Sequence, residues 1–317
     1  MKEIIGLLIT LSSLLVGSRG GGDGGEYSWR AEEAGEREAA AGRGQTEGDA
    51  VPAQLPEVRR IPERVPGVVR PMVDAEGTLV LDAGTGRVLY AERSDTVRPL
   101  ASLTKLMTAL VARATLADLE ARVTIVREDY AGNGRTYMYA GDVVTVRDLF
   151  FLALVSSSND AAAALARATG RTHSQFVAAM NEKAKGLRLT RTRFTDPTGL
   201  DAGNVSTAQE AARILQTALA DPVLREILST EEYRFTTEND TRARTAVSTN
   251  RLLGASAFDI IGGKTGYIDE SGYNFAVEVA GMRNELLTIV VLGAKSEEAR
   301  FAIVKDLVAW AERAWKF

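Results

Sequence analysis

Apolar positions along the chain pass from alternating to helical spacing and back again, and these changes mark out a mixed fold. From residue 77 the pattern is strand-like. Thr78-Leu79-Val80-Leu81 and Val88-Leu89-Tyr90 flank a turn at Asp82-Ala83-Gly84-Thr85-Gly86, which predicts a hairpin. Leu103, Leu106, Met107, Leu110 and Val111 then recur at helical spacing behind Pro99, so a helix starts near residue 101. A short strand over 123–126 and an irregular stretch over 132–141 follow. Helices are predicted over 146–155 and 160–168, interrupted by Ser156-Ser157-Ser158-Asn159. Three more are expected over 174–185, 207–220 and 222–228, with Ser206 and Thr207 as candidate N-caps of the second. Strand character returns over 233–237 and 243–248 and is strongest over 260–266, 273–280 and 286–292. The last two are joined by a tight turn over 281–284. An amphipathic helix over 297–315 closes the pattern. Strands at both ends around a helical middle predict an α+β fold, with one antiparallel sheet built from the two ends of the chain and helices packed on it.

The N-terminal part reads differently. Lys2 precedes an apolar run over 4–16, the length of a signal-peptide core and short of the roughly 20 residues that span a bilayer. Residues 1–17 are therefore expected to be an export signal or an N-terminal anchor. Glu3 weakens the positive flank, and no clean small-residue cleavage site follows. Residues 18–71 are rich in Gly, Ala, Glu and Arg, and five of the chain's eight prolines fall between Pro52 and Pro71, which predicts a disordered and then stiffer linker. Residues 72–317 are left as one folded domain.

Composition narrows the function. At 317 residues and 45% hydrophobic content the chain can bury a large core, and a net charge of -4 offers no basic footprint for nucleic acid. It has no cysteine and one histidine, so disulfides and thiolate metal sites are excluded. A hydrolase lacking thiols builds a covalent intermediate on Ser, Thr, Lys or a carboxylate, and a serine needs an adjacent base. His173 lies at the expected start of a helix, where an exposed residue is the ordinary reading. A lysine base remains, and it works near neutral pH only if burial or a second cation lowers its pKa.

Ala101-Ser102-Leu103-Thr104-Lys105 offers such a pair, because Ser102 and Lys105 share one face of a first helical turn. About one Ser-x-x-Lys is expected by chance in a chain of this length, and an N-cap serine followed by a surface lysine would explain it equally well. Two further elements change the odds. Ser157-Ser158-Asn159 supplies a hydroxyl and an amide at a helix junction, where capping is the plainer explanation. Lys264-Thr265-Gly266 ends a predicted strand. A second Ser-x-Asn, Ser248-Thr249-Asn250, lies in or near a strand and is set aside as a poor rival.

Together the three elements match the Ser-x-x-Lys, Ser-x-Asn and Lys-[Ser/Thr]-Gly set of penicillin-binding proteins and serine beta-lactamases. The chain most resembles the low-molecular-mass D-alanyl-D-alanine carboxypeptidases and endopeptidases, from about residue 75 to 300. The resemblance is carried by ASLTK, GDVVTVRDLF, SSSNDAAAALA, TDPTGLDAGNVSTA, STNRLL, GGKTGYIDESGYNFA and GAKSEEAR. It implies the transpeptidase-like fold and a serine-type carboxypeptidase acting on peptidoglycan stem peptides, with beta-lactams as covalent inhibitors and no cofactor or metal. It implies an exported enzyme of the periplasm or cell-wall exterior, with membrane attachment through the N-terminal segment as one option. Ser102 is then the nucleophile, Lys105 the base, Ser157 a proton relay, Asn159 a substrate amide contact, and Lys264 a cation that keeps Lys105 neutral. Thr265, Gly266 and Tyr267 bind substrate, with the backbone N–H groups of Ser102 and Tyr267 as the oxyanion hole. Arg300 matches a position proposed to bind the substrate carboxylate, and an exposed arginine at the start of the last helix would explain it equally well.

Departures bear on specificity. Ser158 stands where relatives carry glycine, and Gly134-Arg135-Thr136-Tyr137-Met138-Tyr139 replaces a stretch that often holds adjacent serines. The sequence ends soon after the last helix, without the further beta-rich domain of many carboxypeptidases, which makes an endopeptidase role an alternative. A class A-like beta-lactamase is a second, which would need a Glu followed closely by Asn on a loop after the second motif to drive deacylation. A non-catalytic module that binds beta-lactams or peptidoglycan is the third.

Overall fold

A computed structural model describes residues 60–132, 135–254, 258–283 and 285–317. The expected export segment, the first part of the expected linker and the end of the 281–284 turn lie outside the described residues. Five strands form the central sheet: β1 (Gly77–Asp82), β2 (Val88–Glu92), β3 (Asp259–Ile268), β4 (Gly272–Ala280) and β5 (Leu286–Ala294). Their spatial order is β3-β4-β5-β1-β2 and every pairing is antiparallel, so β5 brings the C-terminal strands against the N-terminal hairpin.

Both faces of this sheet are covered. Leu79, Ala276, Val290 and Leu292 join the core beneath the helical region, whereas Val80, Phe275, Val277, Ile289 and Val291 pack with Val304, Leu307, Val308 and Trp310. Alternate side chains point to opposite faces of a strand, so a strand buried on both faces reads as an unbroken apolar run, as Ile289 to Leu292 does.

The helices are α1 (Thr104–Arg113), α2 (Val146–Leu154), α3 (Asn159–Ala168), α4 (His173–Gly186), α5 (Ala208–Ala220), α6 (Pro222–Leu228) and α7 (Glu297–Ala314). Their starts are set by side chains that satisfy the free N–H groups of a first turn. Thr145 Oγ1 accepts from Asp148 N to open α2, Thr172 and Gln175 form a capping box on α4, and Thr207, not Ser206, accepts from Glu210 N to open α5. Ser158 Oγ accepts from Ala161 N and caps α3. The residue that departs from the family glycine is therefore a helix cap, 4% exposed.

Three strand pairs were not anticipated, one of them Arg98–Pro99 with Val205–Ser206. Val143–Thr145 pairs with Arg122–Thr124 just ahead of α2. Glu63–Arg64 pairs with Trp315–Lys316, inside the stretch assigned to linker from its prolines. Arg64 lies over the rings of Trp310 and Trp315, at 5.0 and 5.7 Å, and Val68 and Val73 pack on the same core, so the chain before Pro71 is held to the fold. Among the described residues no helix is long and apolar enough to cross a membrane.

Candidate active site

Ser102 sits in a 3-10 turn, Ala101–Leu103, that runs directly into α1. In such a turn residues i and i+3 eclipse, which brings Lys105 Nζ to 2.8 Å from Ser102 Oγ. Ala101 has φ of 49° and Ser157 has φ of 62°. Both are left-handed conformations that cost energy for residues with a Cβ and that cluster at functional sites. The turn is fixed from two sides. Asn274 Nδ2 on β4 donates to Pro99 O and Leu100 O at 3.0 and 3.1 Å, and Gly199, at φ of 86°, leaves no room for a Cβ against Ala101 O.

Lys105 is 1% exposed and has three partners, which are Ser102 Oγ, Asn159 Oδ1 at 2.7 Å and Thr198 O at 2.6 Å. Asn159 Oδ1 and Thr198 O can only accept, so an uncharged amine spends its two N–H groups on them and its lone pair faces Ser102. Burial brings the Lys105 pKa down to about 7, against the opposing pull of Asp196. The structure thus supplies the neutral lysine through burial first, rather than through the second lysine as expected.

Lys264 on β3 is also 1% exposed and donates to Ser157 Oγ at 2.8 Å and Thr265 O at 2.9 Å. Burial, then the charges of Lys105 and Arg300, hold its pKa well below the usual lysine value. Because Ser157 Oγ accepts from Lys264, its own hydrogen is available to a further acceptor.

Ser102, Ser157, Asn159, Thr265, Gly266 and Tyr267 line one cavity of about 610 Å3, with Arg300 at its end. A Cβ on Gly266 would lie 2.9 Å from Leu100 O and 3.0 Å from Ser102 N, so only glycine lets the β3 edge approach the Ser102 turn this closely. Arg300 is 4% exposed, which overturns the exposed-arginine reading. Its guanidinium donates to Gly266 O, Asn274 O and Glu297 Oε1, the last at 3.0 Å. His173 is exposed at the start of α4, away from this cluster.

Three participants were not found from the sequence. Thr249 lines the cavity, and Thr265 Oγ1 donates to Thr249 Oγ1 at 2.6 Å, so the motif set aside at 248–250 contributes its middle residue. Thr198 holds Lys105 through its carbonyl. Asp196 Oδ1 accepts from Thr198 N, Thr198 Oγ1 and Gly199 N and so shapes that loop. The TDPTGLDAGNVSTA stretch was the available signal, because a buried Asp-x-Thr-Gly turn marks a loop held by its own carboxylate.

A family model described as D-alanyl-D-alanine carboxypeptidase, peptidase S11, matches residues 65–296. A D-alanyl-D-alanine endopeptidase of Escherichia coli (strain K12) is 32% identical over 246 residues, covering 77% of this chain and 79% of the relative. D-alanyl-D-alanine carboxypeptidase DacC of the same strain is 36% identical over 258 residues, or 78% of this chain and 63% of the relative. The crystal structure of the Streptomyces K15 DD-transpeptidase superposes with a TM-score of 0.73 at 29% identity, covering 78% of this chain and 100% of that one. The three motifs, the fold and these relatives agree, and the chain belongs to the peptidase S11 family, the D-alanyl-D-alanine carboxypeptidases.

Proposed function

We propose that the protein is a serine D-Ala-D-Ala peptidase that cleaves peptidoglycan stem peptides through an acyl-enzyme on Ser102. The observation that carries this reading is the buried Lys105 amine, whose one partner able to donate a proton to it is Ser102 Oγ, 2.8 Å away. In the forward step Ser102 Oγ bonds to the scissile carbonyl carbon and its proton passes to Lys105 Nζ. The oxyanion forms between the N–H groups of Ser102 and Tyr267, where the Gly266 contact brings strand and turn together. Ser157, held by Lys264, hands a proton to the leaving amine as the C–N bond breaks and is reprotonated from Lys105, which returns to its neutral form. Water then attacks the ester, with Lys105 again as base, and restores Ser102.

Thr265 and Thr249 present paired hydroxyls to the leaving residue's carboxylate, with the buried Arg300 charge behind them. Asn159 orients Lys105 and meets the substrate amide. Gly266 and Tyr267 place the substrate along β3. Penicillin occupies the same position, acylates Ser102 and leaves slowly. The acidic side chains that line the cavity are Asp269, Glu270 and Glu297.

Carboxypeptidase action needs room for a single leaving D-Ala. The cavity continues past Tyr267 to Ile268, Asp269 and Glu270, which favours endopeptidase action on cross-linked peptides as a second reading. The apolar run over 4–16 supports export. Digestion of purified muropeptides by wild type and Ser102→Ala, with products identified by mass, tests all of this. Loss of terminal D-Ala marks a carboxypeptidase and cleaved cross-links mark an endopeptidase. Absence of any Ser102-dependent product sinks both, and a labelled-penicillin adduct at Ser102 without peptide products would leave a binding module.

A further inference from the structure

The hairpin made by Glu232–Thr237 and Asp240–Val247 takes no part in the chemistry above, yet it grips the stretch of chain that borders Asn159. Arg244, on its second strand, is the centre of that grip. Its side chain is 14% exposed; Nη1 donates to Tyr137 O at 2.9 Å and to Asp142 Oδ2, and Nη2 donates to Asp240 Oδ2 at 3.1 Å. The guanidinium also lies 5.6 Å from the centre of the Tyr139 ring. A planar fork with fixed donors serves a carbonyl and two carboxylates in different directions at once, which an ammonium on a flexible stem does poorly. Asn239, at the hairpin tip, adds a separate hold, accepting from Val143 N at 3.3 Å and donating to Gly141 O at 3.1 Å.

A continuous series of contacts leads from Arg244 to the base. Asp142 Oδ2 also accepts from Tyr139 N, and the next residue, Ala140, donates its N–H to Tyr130 Oη at 2.6 Å. Two residues follow Tyr130 at once: Ala131, whose N–H donates to Asp160 Oδ1, and Gly132, whose carbonyl accepts from Asn159 Nδ2 at 3.2 Å. Asn159 Oδ1 in turn accepts from Lys105 Nζ at 2.7 Å. The Asn159 amide serves Lys105 in one sense only, with its oxygen toward the amine, and an acceptor on Nδ2 holds that sense. The strand that carries Arg244 also runs on to Thr249, whose N–H donates to Val155 O just ahead of Ser156 and Ser157.

We infer that Arg244 is a positioning residue for acylation. By fixing residues 137–142 it holds Gly132 O against Asn159 and so keeps the Asn159 amide turned toward Lys105. This role rests on the peptidase reading and extends it to a side chain remote from the reacting atoms.

Rates of Ser102 acylation by excess labelled penicillin, measured in two backgrounds, test the role. In the wild-type background Arg244→Ala is expected to lower the second-order rate constant about tenfold, since a misplacement near 1 Å costs about 100-fold and Asn239 retains part of the grip. Tyr130→Phe removes only a hydroxyl at an exposed position and is expected to lower the rate about threefold. In an Asn159→Ala background the amide that Arg244 acts on is gone, so each further substitution is expected to change the rate by less than about twofold. A role in general stability would give the same loss in both backgrounds, and that result overturns the positioning role. A loss below about twofold for Arg244→Ala in the wild-type background overturns it as well and leaves the peptidase reading standing. If Arg244→Ala does not fold, Tyr130→Phe decides by the same comparison, and a rate equal to wild type overturns the role. No penicillin adduct at Ser102 in wild type removes the peptidase reading and the positioning role with it.

Discussion

The Lys105 amine sets the pH behaviour of the site. Its pKa is lowered to about 7 by burial, and only the uncharged form can take the Ser102 proton, so the active fraction grows as pH rises through that value. The second-order rate of Ser102 acylation by penicillin is expected to rise about tenfold per unit below pH 7 and to level off above it. Asp196 opposes the burial effect by stabilising the ammonium. Asp196→Asn keeps the Oδ1 acceptor for Thr198 and Gly199 and is expected to move the midpoint to lower pH; an unmoved or raised midpoint would remove Asp196 from this role. Thr249 makes a separate prediction. Thr249→Val keeps the shape but removes the partner of the Thr265 hydroxyl, a loss of about 1 to 2 kcal/mol. Hydrolysis of a D-Ala-D-Ala peptide should then fall by about five- to thirtyfold in kcat/KM, and a loss below twofold would show that the hydroxyl pair is idle. Legibility at this scale followed sequence distance. Ser102 and Lys105 are three residues apart and could be paired from spacing alone, whereas Lys105 reaches Thr198 across 93 residues and Asn274 reaches Leu100 across 174. No local pattern announces contacts of that range.

At the scale of elements, the site is the place where the end of β3 meets the turn before α1, and Gly266 sets the closeness of that approach. Gly266→Ala puts a Cβ against backbone atoms of Leu100 and Ser102 that cannot swing aside. The strand edge must retreat, and a misplacement near 1 Å can cost about 100-fold in rate. Penicillin labelling of Ser102 is expected to slow by about that factor, and a variant within threefold of wild type would refute the close-approach argument. Ser158→Ala tests the α3 cap. It should cost about 1 kcal/mol of stability, or about 2 to 4 °C in Tm, with penicillin acylation within about twofold, whereas a hydroxyl working in the site would show in the rate. The helices and the long strands were readable because their apolar periods run over many residues. The strand Val143–Thr145 was not, since three residues carry no period and the helical pattern of α2 follows at once. The β3 strand was read as ending at Gly266 and continues to Ile268, because Tyr267 stacks on Tyr273 across the β3-β4 pair at 4.3 Å. That pairing decides which residues line the leaving-group side of the cavity, and a single-strand pattern cannot show it.

At the scale of the whole molecule, α7 joins two regions with different work. Its first turn carries Arg300 at the end of the active-site cavity, and its last turns carry Trp310 beside Trp315, where Arg64 lies over both rings and also donates to Ala314 O and Val68 O. A helix rises about 1.5 Å per residue, which puts Trp310 roughly 15 Å along the axis from Arg300. The Glu63–Arg64 strand therefore fastens the N-terminal approach to the end of α7 that is remote from Ser102. Proline content made this stretch look like linker. What orders it is a guanidinium between two tryptophans that lie about 250 residues further along the chain, as the Arg64 to Ala314 bond also measures. Arg64→Ala removes both ring contacts at an exposed position, a loss of about 1 kcal/mol, so Tm should fall by about 2 to 4 °C. The penicillin acylation rate at Ser102 should stay within about twofold, because α7 remains anchored near Arg300 by the Glu297 contact and the β3 and β4 carbonyls. An unchanged Tm would mean that the ring contacts hold nothing. An acylation rate that drops along with Tm would mean that the strand at the far end of α7 and the nucleophile belong to one cooperative unit, rather than to two regions joined by a stiff helix.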